Sequence, residues 1–281
     1  MVQWEKRGRS RNLEDRRGQR VGRAGVGIGG TLLLLVLSVF FGPEVLQVLG
    51  PVVSATNNRP QVTEGPLETT AAEEETVDYV SFLLDDMQAV WNTRLPRMGA
   101  DYRETTLVLF RDATPSACGL GQSAMGPFYC PRDEKVYLDL SFFDELAQRF
   151  GAPGDFAQAY VLAHEIGHHV QNVLGISTEV SRLQQARPNQ ANQLSVRLEL
   201  QADCLAGVWG ASAAAQGRLE PGDAQEGLRA AAAIGDDRIQ RQTQGRVVPE
   251  SFTHGTSEQR LEWLRRGLQS GDPNTCDTFG A

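Results

Sequence analysis

His164 and His168 stand four residues apart in Ala163-His164-Glu165-Ile166-Gly167-His168-His169. On a helix that spacing puts two imidazoles on one face, where both reach a single ion. Glu165 lies one position along, beside such an ion, and suits a general base that takes a proton from a water acidified by zinc. The pattern therefore fits metal-assisted hydrolysis, with Zn2+ as the expected cofactor. Three of the four histidines in the chain fall in this one stretch.

A catalytic zinc needs a third protein ligand and one open position. Glu199 and Asp203 are again four apart, and Ala202, Ala206 and Gly207 beside them are small enough for another helix to pack closely. Acids inside an otherwise apolar helix are costly without a partner. Glu199 is assigned as the third ligand. Asp203 then lies behind the metal, accepting a hydrogen bond from a ligand imidazole or orienting Glu199. His169 is at the wrong angle to join the pair. His254, in Phe252-Thr253-His254-Gly255-Thr256, has two readings. It is either a catalytic donor to the oxyanion of a tetrahedral intermediate or a structural histidine capping a neighbouring helix. Tyr129, Tyr137 and Tyr160 are further oxyanion candidates among which the sequence does not choose.

The elements that position these residues follow from periodicity. Val77, Val80, Leu83, Leu84, Met87, Val90 and Trp91 recur at helical spacing and predict a helix over 76–93, ended near Pro96. Residues 105–110 and 135–140 read as short strands, the second a candidate sheet edge for an extended substrate. Helices are expected over 142–150, 156–174 (closed by Gly175), 191–215 and 223–240. A last one starts near Ser257, where Thr256 and Gln259 have capping-box spacing. A few strands followed by several helices make an α+β domain, mostly helical with a small sheet.

Hydrophobic and charged contents of 41% and 22% are ordinary for a globular protein. The net charge of -8 is uneven: residues 1–24 hold 8 basic against 3 acidic side chains, leaving 19 against 32 elsewhere. An acidic body argues against nucleic acid as a partner. Gly25 to Gly42 carries no charge, and apolar residues continue to Val53. With its basic flank and no clear cleavage site, this stretch reads as a single transmembrane signal anchor over 25–50. The positive-inside rule then places residues 1–24 as a basic cytoplasmic tail, with the body outside the cell membrane. Residues 51–75, with three prolines and the run Glu73-Glu74-Glu75, read as a flexible linker, and 76–281 as the catalytic domain.

Four cysteines allow three disulfide pairings, and an exported body makes disulfides plausible. Cys118 and Cys130 bound one loop, so they are paired, which stabilises by about 3 kcal/mol in the chain-entropy picture. Cys204–Cys276 follows, unless the body is cytoplasmic and the four thiols stay reduced.

The chain resembles the bacterial neutral zinc metallopeptidases, a family of single-pass membrane proteins. The resemblance rests on Glu14-Asp15-Arg16-Arg17-Gly18, Phe128-Tyr129-Cys130-Pro131, the His164–Gln171 segment, Glu199-Leu200-Gln201-Ala202-Asp203-Cys204 and His254-Gly255 leading to Gln259-Arg260. It implies a zincin-like fold and action on a protein or peptide substrate. The Glu199–Asp203 segment is also similar to the Glu-x-x-Ala-Asp segment of other gluzincins, whose glutamate is the third ligand. The rival expectation is a membrane-anchored binding protein whose zinc is structural or a relic, which a closed shell of four protein ligands would favour.

Overall fold

A computed structural model describes residues 1–21 and 62–280. The 24-residue helix α1 (Ala71–Arg94) opens where the Thr70 hydroxyl accepts from the Glu73 backbone N–H, with Glu73 and Glu74 complementing the positive end of the helix. It buries Val77, Val80, Leu84, Met87 and Trp91. The main sheet has the order β1-β4-β8-β7, from β1 (Leu13–Asp15), β4 (Thr106–Phe110), β8 (Lys135–Asp139) and β7 (Phe128–Cys130). β1, β4 and β8 are parallel and β7 runs antiparallel to β8. Two small ribbons pair β2 (Gln19–Val21) with β3 (Val62–Glu64), and β5 (Ala113–Ser116) with β6 (Gly119–Gln122).

Strand periodicity decides which residues meet the helices. Leu107, Leu109, Val136 and Leu138 enter the main core with α1 and the helices below. Val108, Phe110 and Tyr137 face the other way, into a small second core with Cys130. After the sheet come α2 (Ser141–Gln148), α3 (Asp155–Val173), α4 (Ile176–Ala186), α5 (Ala191–Ala215), α6 (Asp223–Ala233), α7 (Asp236–Gln244) and α8 (Ser257–Ser270). The single helix expected over 223–240 is two, broken at Gly235, where a methyl group would strike the Ser257 backbone. α8 opens with the expected capping box of Thr256 and Gln259.

α3 is buried on nearly every side and packs against α5, α6 and α1. Gly167 lets it approach α5: a methyl there would lie 3.0 Å from the Ala202 carbonyl oxygen. α5 and α8 cross closer still, backbone to backbone at Gly207 and Gly267.

Two expectations need correction. The first is the fold with a spanning helix ahead of a separate domain, and with it membrane attachment through that helix. Among the described residues no helix is long and apolar enough to cross a membrane. The apolar run at 25–50 lies outside the described residues. The segments on either side of it belong to one body. Val2 is in the main core, Leu13–Asp15 extends the sheet beside β4, and buried Arg17 pairs with Asp15, Glu73 and Glu74. A single crossing between them would put these partners on opposite faces of a bilayer. Within the proposed linker, residues 62–64 form β3 and helix α1 already begins at Ala71. The second concerns Lys135–Leu140, read as a sheet edge. β8 is interior, between β4 and β7, so the edge strand on that side is β7.

Candidate metal centre

Helices α3 and α5 bring the three assigned ligands together. Ligand atoms of His164, His168 and Glu199 lie within 4.8 Å of one another. His164 Nε2 is 3.1 Å from Glu199 Oε2, and His168 Nε2 is 3.4 Å from Glu199 Oε1. The opposite ring nitrogens are tied back, His164 Nδ1 to Asp203 Oδ1 at 2.9 Å and His168 Nδ1 to Gln171 Oε1 at 2.8 Å. A carboxylate only accepts, so Asp203 keeps a proton on His164 Nδ1 and leaves Nε2 to face Glu199.

Burial pulls the His164 pKa down, but Asp203 and Glu199 outweigh it and leave it raised to about 10. His168 is raised as well: burial opposes the shift and the Glu199 charge drives it. Glu199 resists its own burial and lies well below the usual carboxylate range, held there by the two histidines. The cluster therefore stabilises positive charge at the point where the three donors meet. Two imidazole nitrogens and one carboxylate oxygen are a donor set that fits zinc.

Asp203 is fully buried and has three partners. It accepts from His164, from the Tyr160 hydroxyl at 2.6 Å, and from Arg260 Nε and Nη2 at 2.9 and 3.0 Å. Burial raises its pKa, yet Arg260 and His164 bring it down to about 2. Arg260, on α8, has no assigned role in the sequence reading. Nothing local announces it: a solvated side chain is the ordinary expectation for an arginine next to a capping box, and this one is 3% exposed. Gln171 and Gln201 are buried too, and their local sequence carries no sign of it.

Glu165 is buried beside the ligands, and no described residue hydrogen-bonds its carboxylate. Burial pushes its pKa up against the pull of the two histidines. His169 points elsewhere. Its Nε2 donates to the Arg103 carbonyl, so Nδ1 accepts from the Tyr129 hydroxyl at 2.9 Å. The phenol hydroxyls of Tyr137 and Tyr160 likewise donate to carboxylates, of Asp133 and Asp203. All three tyrosine candidates thus spend their protons inside the protein.

His254 is not in hydrogen-bond contact with the ligand cluster. It is half-exposed on the wall of the cleft that contains the cluster, with Nδ1 3.2 Å from Asp236 Oδ1. Asp236 also accepts from the backbone N–H groups of Thr253, His254 and Gly255, which shapes the turn carrying the imidazole. The cleft encloses about 610 Å³, and Phe128, Phe142, Phe150, Val161 and Val180 make much of its wall apolar. Both expected disulfides form, Cys118–Cys130 and Cys204–Cys276.

The profile of the family described as "Putative neutral zinc metallopeptidase" matches residues 2–279. The chain belongs to this family. Its cofactor is accordingly Zn2+, and the family's activity implies a peptide substrate. The chain is 48% identical to "Uncharacterized protein YpfJ" of Escherichia coli K12 over 291 residues, covering 99% of both chains. It is also 48% identical to "Uncharacterized protein Rv2575" of Mycobacterium tuberculosis over 208 residues, 70% of this chain and 68% of the relative. No solved structure matches the chain.

Proposed function

We propose that this chain hydrolyses peptide bonds, with His164, His168 and Glu199 as zinc ligands and Glu165 as the catalytic base. The carrying observation is the convergence of those three donors in an open cleft beside a buried carboxylate that has no partner among the described residues. Zinc, when bound, polarises a carbonyl and acidifies a water. Glu165 takes a proton from the attacking water on its free carboxylate oxygen and later delivers it to the leaving amine. Its burial raises its pKa, which improves it as both base and acid near neutrality.

His254 is assigned to the developing oxyanion. With Nδ1 turned to Asp236, its free nitrogen is Nε2, the atom that would donate to the oxyanion. The engaged tyrosine hydroxyls favour this assignment over Tyr129, Tyr137 or Tyr160. The edge strand β7 offers its unpaired side to an extended substrate, with Phe128, Tyr129 and Pro131 on the cleft wall.

Only three His, Cys, Asp or Glu donors converge here among the described residues, which supports an open coordination position over a closed structural shell. Two disulfides support a location outside the cytoplasm. Glu165→Gln tests the mechanism: zinc stoichiometry should stay at wild type while peptide hydrolysis disappears. Undiminished turnover in that variant would sink the assignment of Glu165.

A further inference from the structure

Two backbone carbonyls, of Leu198 and Cys276, settle the hydrogen-bond polarity behind His168. Gln171 stands one turn after His168 on α3 and is fully buried. Its Nε2 lies 2.7 Å from the Leu198 carbonyl oxygen, which only accepts, so the amide nitrogen must face that way. Its Oε1 therefore faces His168 Nδ1, at 2.8 Å, and that nitrogen must carry a proton. The lone pair available for a metal is then on Nε2. The reverse amide orientation would set oxygen against oxygen at a buried position and lose two hydrogen bonds.

A second amide continues the line. Gln171 Nε2 also donates to Gln201 Oε1 at 3.0 Å, and Gln201 Nε2 donates to the Cys276 carbonyl at 3.1 Å. Gln201 is on α5, between Glu199 and Asp203. Cys276 is held to α5 by its disulfide with Cys204. An unbroken line of hydrogen bonds of one polarity thus runs from the Cys276 carbonyl to the imidazole of His168.

We infer that Gln171 and Gln201 are positioning residues of the metal centre, which fix the tautomer and orientation of His168 and anchor it to the Cys204–Cys276 disulfide. The inference rests on the reading of His168 as a ligand. The amides touch neither metal nor substrate; they act through the imidazole. His164 has the same restraint from a carboxylate, so both histidines present Nε2, one held by a charge and the other by neutral amides.

The test uses the full chain with Gln171→Leu, Gln201→Leu and the paired change Cys204→Ser with Cys276→Ser. Zinc affinity is read by competition with a chelator. The tautomer is read on cobalt-substituted protein, where each histidine bound through Nε2 shows a shifted, exchangeable Nδ1–H proton resonance. Wild type should show two such signals. Gln171→Leu should lose or broaden one by solvent exchange and bind zinc about 10–100-fold more weakly. Gln201→Leu, which leaves the Gln171 acceptor on His168 and its bond to the Leu198 carbonyl in place, should retain both signals and bind zinc more weakly.

Losing the disulfide should weaken zinc binding in the wild-type background and add little in Gln201→Leu, because the two changes cut the same line. Two unchanged signals with wild-type affinity in Gln171→Leu would overturn the inference, and so would additive losses. If Gln171→Leu fails to fold, wild-type zinc affinity in Gln201→Leu overturns it instead. His168→Ala separates the two readings. Wild-type zinc binding by that variant refutes the ligand assignment itself, whereas lost binding there with intact binding in Gln171→Leu refutes the positioning role alone.

Discussion

Gly267→Ala should destabilise the protein, although alanine is the better helix former. In the interior of an unconstrained helix this change stabilises by about 1 kcal/mol. Here the added methyl would overlap the Cys204 carbonyl oxygen and lie 2.9 Å from Gly207 Cα. Carbon atoms rest about 3.5–4.0 Å apart, so α5 and α8 would have to separate by about 1 Å. The obstacles are helix backbone, which cannot rotate away as a side chain would. The cost therefore belongs near the upper end for overpacking, about 3 kcal/mol. For a domain of this size that is a fall in Tm of about 6–12 °C.

The damage should reach the metal centre. Arg260 is two turns before Gly267 on α8, and its hydrogen bonds to Asp203 are 2.9 and 3.0 Å long. A 1 Å separation breaks them and releases the group that holds His164. Calorimetry of zinc-free protein reads the first effect and chelator competition the second. A Tm equal to or above wild type would refute the argument, because only the clash opposes the intrinsic helical gain.

Arg260→Leu should cost about 3–5 kcal/mol in urea unfolding, because it leaves the buried Asp203 carboxylate without its guanidinium; an unmoved midpoint would contradict this. Zinc affinity should rise with pH through the neutral range by at least about tenfold per unit, since zinc must displace a proton from His164. The proton stays on the zinc-free protein up to a pKa of about 10, so the affinity falls as pH is lowered. Calorimetry in buffers of different ionisation enthalpy would show the released proton, and a pH-independent affinity would contradict the charge state. Arg17→Leu should cost about 3 kcal/mol and expose residues 1–21 to proteolysis, because Asp15, Glu73 and Glu74 lose a buried shared partner. Wild-type resistance to proteolysis would show that this segment does not depend on the pairing.

Some of this was legible in the residues themselves. The spacing of His164, His168, Glu199 and Asp203 is local, and a helix turns spacing directly into a shared face. The bounds of α5 and the capping box of α8 follow equally from neighbours in the chain. The strands β1, β2, β3, β5, β6 and β7 are only three or four residues long, too short for a periodic signal, and they exist through pairing. Residues 1–21 carry the composition of a basic tail. Nothing local says that Arg17 meets Glu73, because that contact depends on how the chain returns to the sheet.

The sequence by itself determined the chemistry on offer: two imidazoles and a glutamate on one helix face, two acids on another, and cysteines that could pair. Only the tertiary structure decided how that chemistry is controlled. Arg260, Gln171 and Gln201 are ordinary polar residues until burial removes their water. Once buried, each must find a partner in the protein, and the partners available are Asp203, His168 and the Leu198 and Cys276 carbonyls. Hydrogen-bond polarity then passes from fixed backbone to side chain and sets which nitrogen each histidine presents. Spacing names the ligands, while the direction of those bonds is a property of packing between helices far apart in the chain.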